Sequence, residues 1–285
     1  MPQIATENSI FLLKSWLFTP ATMADRFGRA AEAGADALII DLEDAIAPRF
    51  KDQARTSAVD FLSGLRENHL PCAVRINPPN GKTGLDDLEA ILESRADPDF
   101  LVLPKSDSSG VLALVDALLR EAGKSTRIIA LIETARGLAH LEEIALGTPK
   151  PAAFLFGVAD LAADLGSEID WEPMLFARSR LIHASALAGI AALDSPWFDI
   201  SDRNGLKQET QAAARLGFHG KAAIHPGQIG IINDSFTPTP EQIEQAKQVL
   251  EVSAKGAGLV ERKMVDEAVA RRARLILARA GKIDS

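Results

Sequence analysis

Eight short apolar runs, each delivering a polar residue at or just past its end, recur between residues 14 and 226. They are KSWLFTP (14–20), DALIIDLED (36–44), CAVRINPP (72–79), FLVLPKSD (100–107), RIIALIET (127–134), AAFLFGVAD (152–160), IAALDSPW (190–197) and GKAAIHP (220–226). Each has the length of a strand, and most lack the alternation of a strand with one wet face, so they read as buried on both faces. They begin roughly 20–40 residues apart, which leaves room for one crossover helix between neighbours. The intervening segments MADRFGRAAEAGAD (23–36), SSGVLALVDALLREAG (108–123) and GLKQETQAAARLG (205–217) have helical spacing and carry Gly34, Gly123 and Gly217 where a C-cap belongs.

Eight βα units predict an α/β protein with a TIM (β/α)₈ barrel spanning residues 1–235; an open, doubly wound sheet of eight strands is the other architecture the pattern allows. Residues 236–285 then form a C-terminal helical extension, read as a lid. It comprises a helix from Pro240 to about Ala254, the glycine-bearing AKGAGL (254–259) and a final helical stretch, KMVDEAVARRARLILARA (263–280).

A formal charge of −8 argues against nucleic acid and against a membrane surface as partners, since both reward positive charge. It does not argue against a small anion, which feels only a local site. Cys72 is the single cysteine, so neither an internal disulfide framework nor a zinc cluster is available. The start MPQIATENSIFLLK lacks the basic, then apolar, pattern of a secretion signal, and no segment reaches the ~20 apolar residues of a membrane span. A soluble, cytoplasmic protein is expected.

In a barrel the C-terminal strand ends surround the active site. The residues brought there would be Asp41, Glu43 and Asp44 after strand 2, Arg75 and Asn77 after strand 3, Lys105 after strand 4 and Glu133 after strand 5. Asp160 follows strand 6, Asp194 strand 7 and His225 strand 8. Carboxylates facing one mouth repel unless a cation lies between them. With few histidines and no thiol, that cation is a hard, oxygen-loving ion such as Mg²⁺. Arg75 and Lys105 would hold the anionic ends of a substrate, so the pattern points to a small, multiply anionic acid. Any single acidic strand end, Asp44 or Asp194 for example, is more often a helix cap or a loop ion pair than a site residue. Glu133 and Asp160 follow the most strongly apolar runs and are the firmest candidates. His69, His140, His183 and His219 read as structural or surface residues, and Cys72 as core.

The segments DLEDAIAPRFKDQAR (41–55), RINPPNGKTGLDDL (75–88), LPKSD (103–107), LIETARG (131–137), FGVADLAADLG (156–166), GKAAIHPGQIGIIN (220–233) and KMVD (263–266) resemble, in this order and spacing, the HpcH/HpaI aldolase/citrate lyase family, in its citrate lyase β-subunit-like branch. The resemblance implies a TIM barrel and a Mg²⁺-dependent carbon–carbon lyase. Its substrate would be a 3-hydroxyacyl-CoA such as citramalyl-, malyl- or citryl-CoA, with acetyl-CoA and a 2-oxo acid as products. It implies that Glu133 and Asp160 bind the metal and that Arg75 contacts substrate and stabilises the enolate, with Lys105, Glu43 and Asp44 beside it. Asp266 would be the acid/base group, often delivered to a neighbouring subunit, in a homotrimer or a multiple of one. Where the family commonly starts strand 1 with arginine, this chain has Lys14. Two other readings stand beside the free-CoA lyase: the β subunit of a multi-subunit citrate lyase with a carrier-bound acyl group and partner subunits, and a non-catalytic barrel that binds CoA esters.

Overall fold

The computed structural model describes residues 9–64, 70–254, 258–260 and 263–280. His69, the first eight residues of the N-terminal segment and part of AKGAGL lie outside the described residues. The chain divides into two compact units, Met1–Ile232 and Asn233–Ser285.

The first unit is a closed TIM barrel of eight parallel strands in the order β1 to β8, with β1 paired to β8. The strands are β1 (Ser15–Pro20), β2 (Ala37–Asp41), β3 (Cys72–Arg75), β4 (Phe100–Leu103), β5 (Arg127–Ile132), β6 (Ala153–Phe156), β7 (Ala191–Asp194) and β8 (Gly220–Ala223). Closure excludes the open doubly wound alternative. The crossovers carry α1 (Arg29–Glu32), α2 (Lys51–Ser63), α3 (Lys82–Glu93), α4 (Ser109–Glu121), α5 (Ala135–Ala139), α6 (Leu141–Leu146), α7 (Val158–Leu165), α8 (Trp171–Ala188) and α9 (Arg203–Leu216). α10 (Ile229–Phe236) follows β8; it lies in a stretch that the sequence pattern leaves without an element. The helix expected across 23–36 is reduced to a 3₁₀ turn at Ala24–Arg26 and the four-residue α1. Gly28, which costs a helix about 1 kcal/mol relative to alanine, sits at the break.

Alternate strand residues fill the barrel interior: Ala37 and Ile39, Phe100 and Val102, Ile129 and Leu131, Ala153 and Leu155, Ala191 and Leu193, with Trp16, Ala73 and Ala222. The intervening residues, such as Leu38, Ile40, Val74, Leu101, Ile132 and Phe154, are equally buried. With apolar residues on both faces, the runs show no alternation.

In the second unit, α11 (Pro240–Ser253) starts at a capping box in which Thr239 and Gln242 satisfy each other's backbone N–H groups, with Pro240 in the first turn. β9 (Gly258–Val260) and β10 (Lys263–Val265) form an antiparallel hairpin before α12 (Glu267–Arg279). The final helix therefore starts four residues later than its sequence suggests, because Lys263–Val265 pairs as a strand. Ala246, Val249, Val265, Ala273 and Leu277 form the unit's apolar core. Among the described residues, no helix is long and apolar enough to cross a membrane.

Candidate active site

Strand parity decides which polar residues reach the mouth. Asp41 continues the interior row of Ala37 and Ile39, Arg75 continues that of Ala73, and Glu133 that of Ile129 and Leu131. These three, with Asp44 and Asp160, line a cavity of about 400 Å³ at the C-terminal end of the barrel, together with Phe18, Leu155, Phe156, Pro196, Phe198 and Ile224 among others.

Arg75 is heavily committed. Its Nε and Nη2 donate to the two oxygens of Asp41 at 2.7 Å each, in the bidentate arrangement an arginine favours. Nη1 donates to Asp44 at 3.3 Å and lies 3.1 Å from Glu43 Oε2, while the guanidinium rests 5.0 Å from the centre of the Phe18 ring. Burial works against its charge, but Asp41, Glu43 and Asp44 outweigh burial and hold its pKa above the ordinary value. The expectation that Arg75 is free to grip a substrate carboxylate is thereby narrowed, since most of its donors already serve three acids.

The loop carrying Glu43 and Asp44 is clamped from below. Lys51 Nζ, on α2, donates to the carbonyls of Leu42 and Glu43 at 2.7 and 2.6 Å and to Asn77 Oδ1 at 2.7 Å. Asn77 in turn donates to Leu42 O and to Asp87, which Arg55 holds at 2.8 Å. Asn77, expected at the mouth, is thus buried beneath the loop and braces it.

Glu133 is 2% exposed. Its Oε1 accepts from the Lys105 backbone N–H at 2.8 Å. Lys105 is the only non-glycine among the described residues with positive φ, at 49°, and this left-handed turn aims the N–H at the carboxylate. Its ammonium stands among three acids, 3.5 Å from Glu133, 3.7 Å from Glu43 and 4.0 Å from Asp160. Gly157 completes the cradle, because a Cβ there would collide with Glu133 Cβ and come within 2.9 Å of Oε2. Asp160 is not at a strand end. It sits in the first turn of α7, half exposed, where the helix dipole favours a carboxylate.

Burial raises Glu133 to about 7, against the pull of Lys105's charge and N–H. Burial likewise pushes Glu43 up to about 8, Arg75 pulling it down and Glu133 and Asp44 pushing it further up. The acids are therefore short of positive charge. Among the described residues no three His, Cys, Asp or Glu side chains gather as a metal site. Mg²⁺ does not need three, since it commonly keeps several waters and takes one or two carboxylates. Glu133 and Asp160, hard oxygen donors on one cavity wall, fit that demand.

Asp194 and His225 do not reach the cavity. Asp194 follows interior Leu193 by one residue, so it faces outward into the helical layer, fully buried between Lys221 Nζ at 2.6 Å and Arg178 Nε at 3.0 Å. His225 caps the turn after β8, its Nδ1 accepting from Gly227 N at 3.0 Å, and does not line the cavity. Lys14 precedes β1 and therefore lies at the end of the barrel opposite the mouth. Asp266 caps α12, with Oδ1 accepting from Val269 N at 3.0 Å. Glu43 and Lys105 join the site through ion pairs without lining the cavity. The sequence reading missed Phe18, Lys51, Gly157 and the buried pair Arg178 and Lys221. A lysine inside the apolar run GKAA was the one visible signal for the last of these.

Comparison with known proteins adds to this geometry. The model of the HpcH/HpaI aldolase/citrate lyase family matches residues 14–226, and that of the C–C bond lyases of the TIM-barrel fold matches residues 179–282. The chain is 32% identical to citrate lyase subunit beta of Haemophilus influenzae, over 94% of this chain and 97% of the relative. It is 31% identical to L-malyl-CoA/beta-methylmalyl-CoA lyase of Cereibacter sphaeroides, over 94% and 95%. The crystal structure of CitE from Mycobacterium tuberculosis, in complex with magnesium, acetoacetate and coenzyme A, superposes with a TM-score of 0.80 at 34% identity, covering 94% of this chain and 98% of that one.

Proposed function

Because this chain belongs to the HpcH/HpaI aldolase/citrate lyase family and is a carbon–carbon lyase acting on CoA esters, we propose that it cleaves, or in reverse forms, a 3-hydroxyacyl-CoA of the citramalyl-, malyl- or citryl-CoA type. The products are acetyl-CoA and a 2-oxo acid, and the reaction depends on Mg²⁺ in a cytoplasmic homo-oligomer. The observation that carries this reading is the charge pattern at one cavity: Glu133, Asp160 and Arg75 line it, Arg75 is held by Asp41, and Lys105 stands behind the lining, paired with Glu133, Asp160 and Glu43. The structurally similar CitE was crystallised with magnesium and coenzyme A, which supports both ligands here.

Glu133 and Asp160 are the residues that hold Mg²⁺ in this reading. Mg²⁺ held there would supply Lewis-acid charge to the oxygen on the carbon where the bond breaks or forms. Arg75 places a fixed positive charge where the thioester oxygen becomes an enolate oxygen, and its triple anchoring means that no reorganisation is needed at that moment. Lys105 fixes the rotamer of Glu133 through its backbone N–H and moderates the repulsion among the acids. Lys51 and Asn77 hold the loop that presents Asp44 to Arg75. From the family resemblance alone, Asp266, of this chain or of a neighbouring subunit, is proposed to move the proton at the acetyl carbon, giving it to the enolate carbon in cleavage and removing it from the methyl group in synthesis.

The test is a cleavage assay on the three hydroxyacyl-CoAs with Mg²⁺. Wild-type protein should release acetyl-CoA from at least one, activity should vanish with EDTA, and Glu133→Ala should lose on the order of a hundredfold or more. The similarity to a citrate lyase subunit favours a second reading, in which the acyl group is carried on a partner protein. Silence on all three esters, with folded protein that still binds Mg²⁺, would select that reading.

A further inference from the structure

We infer that Asp164 is a positioning residue for the metal pair: its carboxylate ties the helix that carries Asp160 to the chain segment that follows Glu133, and so sets the spacing of the two acids. This rests on the lyase reading, which gives Glu133 and Asp160 to Mg²⁺, and adds a residue to it. The two acids come from different elements. Glu133 follows β5, and Asp160 sits in the first turn of α7, after β6. The backbone joins these elements at their root, where Gly157 N donates to Ile132 O at 2.9 Å. Beyond that bond the chains part, β5 into Thr134 and α5, β6 into α7. Asp164 lies four residues after Asp160, one turn along the same face of α7. Its Oδ2 accepts from Ala135 N at 2.7 Å, two residues past Glu133.

The far end of this link is a fixed post. Thr134 Oγ1 accepts from Gly137 N at 2.9 Å and donates to Asp107 Oδ1 of the loop after β4. Gly137 lets the segment press against that loop, since a Cβ there would stand 2.8 Å from Ser106 O. Capping alone does not account for Asp164. Thr134 already caps α5 from within, whereas the acceptor for Ala135 N–H comes from another helix. Lys105, which also reaches both acids, is a poor spacer: its flexible side chain is 40% exposed and its ammonium lies 4.0 Å from Asp160. The charge-assisted bond from Asp164 to a backbone amide is short and directional. It holds α7 at one height against the Glu133 segment, so the Asp160 carboxylate meets the cavity at a set distance from Glu133. Mg²⁺ demands near-ideal octahedral geometry, which makes its binding sensitive to that spacing.

The experiment is a calorimetric Mg²⁺ titration of the full chain, without substrate, with a circular dichroism melt of every variant. Asp164 and Ala135 are both exposed, so substitution leaves the core intact. Asp164→Ala should weaken Mg²⁺ binding by about tenfold, the scale of losing a group that orients a ligand. Asp164→Asn, which keeps an acceptor oxygen, should stay within about threefold of wild type. Ala135→Pro removes the donor; proline suits the first helical position, and the extended Thr134 (φ −132°, ψ 154°) can precede it. It should match Asp164→Ala, and the double variant should be no weaker than either alone. Unchanged affinity in Asp164→Ala, with or without a lower melting temperature, reduces the residue to a helix cap and overturns the inference. Asp164→Asn as weak as Asp164→Ala also overturns it, because the field of the carboxylate is then the cause, and so does a double variant whose losses add. Glu133→Ala and Asp160→Ala are the reference. If both bind Mg²⁺ as wild type does, the metal assignment falls, and the inference with it; if both lose Mg²⁺ while Asp164→Ala keeps it, the inference alone falls.

Discussion

Lys221→Met tests the buried network that ties the barrel wall to its helices. Lys221, on β8, is the register partner of Asp194 on β7, and both point outward into the helical layer. Its Nζ lies 2.6 Å from Asp194 and 2.8 Å from Glu209 of α9, with no exposure to solvent. Arg178 of α8 completes a balanced set of two cations and two acids, 3.0 Å from Asp194 and 3.4 Å from Glu209. Burial by itself would raise Asp194; Lys221 and Arg178 overcome it and hold the carboxyl below its ordinary range. Methionine keeps most of the lysine's volume but leaves two buried acids to share one guanidinium. Removing one partner of a buried ion pair costs about 3–5 kcal/mol. At roughly 2–4 °C per kcal/mol for a chain of this size, Tm should fall by on the order of 10 °C. Denaturant unfolding followed by tryptophan fluorescence measures the loss, and Lys221→Met combined with Glu209→Gln should recover at least half of it by restoring one cation to one acid. A loss under about 1 kcal/mol, or a double variant whose losses simply add, would refute the charge-balance argument. The loss should reach the cavity as well, since Arg178 stacks 5.1 Å from the centre of the Phe156 ring, which lines it.

Two further outcomes follow from the acid cluster. Glu133 and Glu43 have folded pKa values raised from 4.5 to about 7 and about 8. Their contribution is fully present below pH 4.5 and lost as pH rises through 7 to 8, by up to several kcal/mol at ~1.4 kcal/mol per pKa unit. The EDTA-treated protein should therefore have a lower denaturation midpoint at pH 8 than at pH 6, and saturating Mg²⁺ should shrink that difference; a midpoint that rises over this range would contradict the assignment. Gly157→Ala, whose new Cβ must displace Glu133, should weaken Mg²⁺ binding by about tenfold or more in a calorimetric titration while the secondary structure by circular dichroism is unchanged. Unaltered Mg²⁺ affinity would show that the Glu133 rotamer is not critical.

Much of this protein is legible in its sequence. Strand length is written in runs such as ALIID and AFLFG, helix ends in Gly34, Gly123 and Gly217, all three with positive φ, and the number of βα units in the spacing between runs. The residue types of the site could be read as well, because an apolar parallel strand that stops on Glu133 or Arg75 carries it to the barrel mouth. What could not be read was direction. A strand buried on both faces carries no alternation, so nothing in IAALD says that Asp194 faces the helices, while nothing in ALIID says that Asp41 faces the cavity. The tertiary structure sets that parity through the closure and register of the barrel, and with it every partner: Asp41 for Arg75, Lys221 for Asp194, Asn77 for the loop and not for the substrate. The hairpin at 258–265 was hidden for a related reason. Three-residue strands hold too few side chains to show a period, and only pairing across the turn makes them strands at all. Local chemistry thus chose which groups the site could contain, and long-range register chose which of them meet.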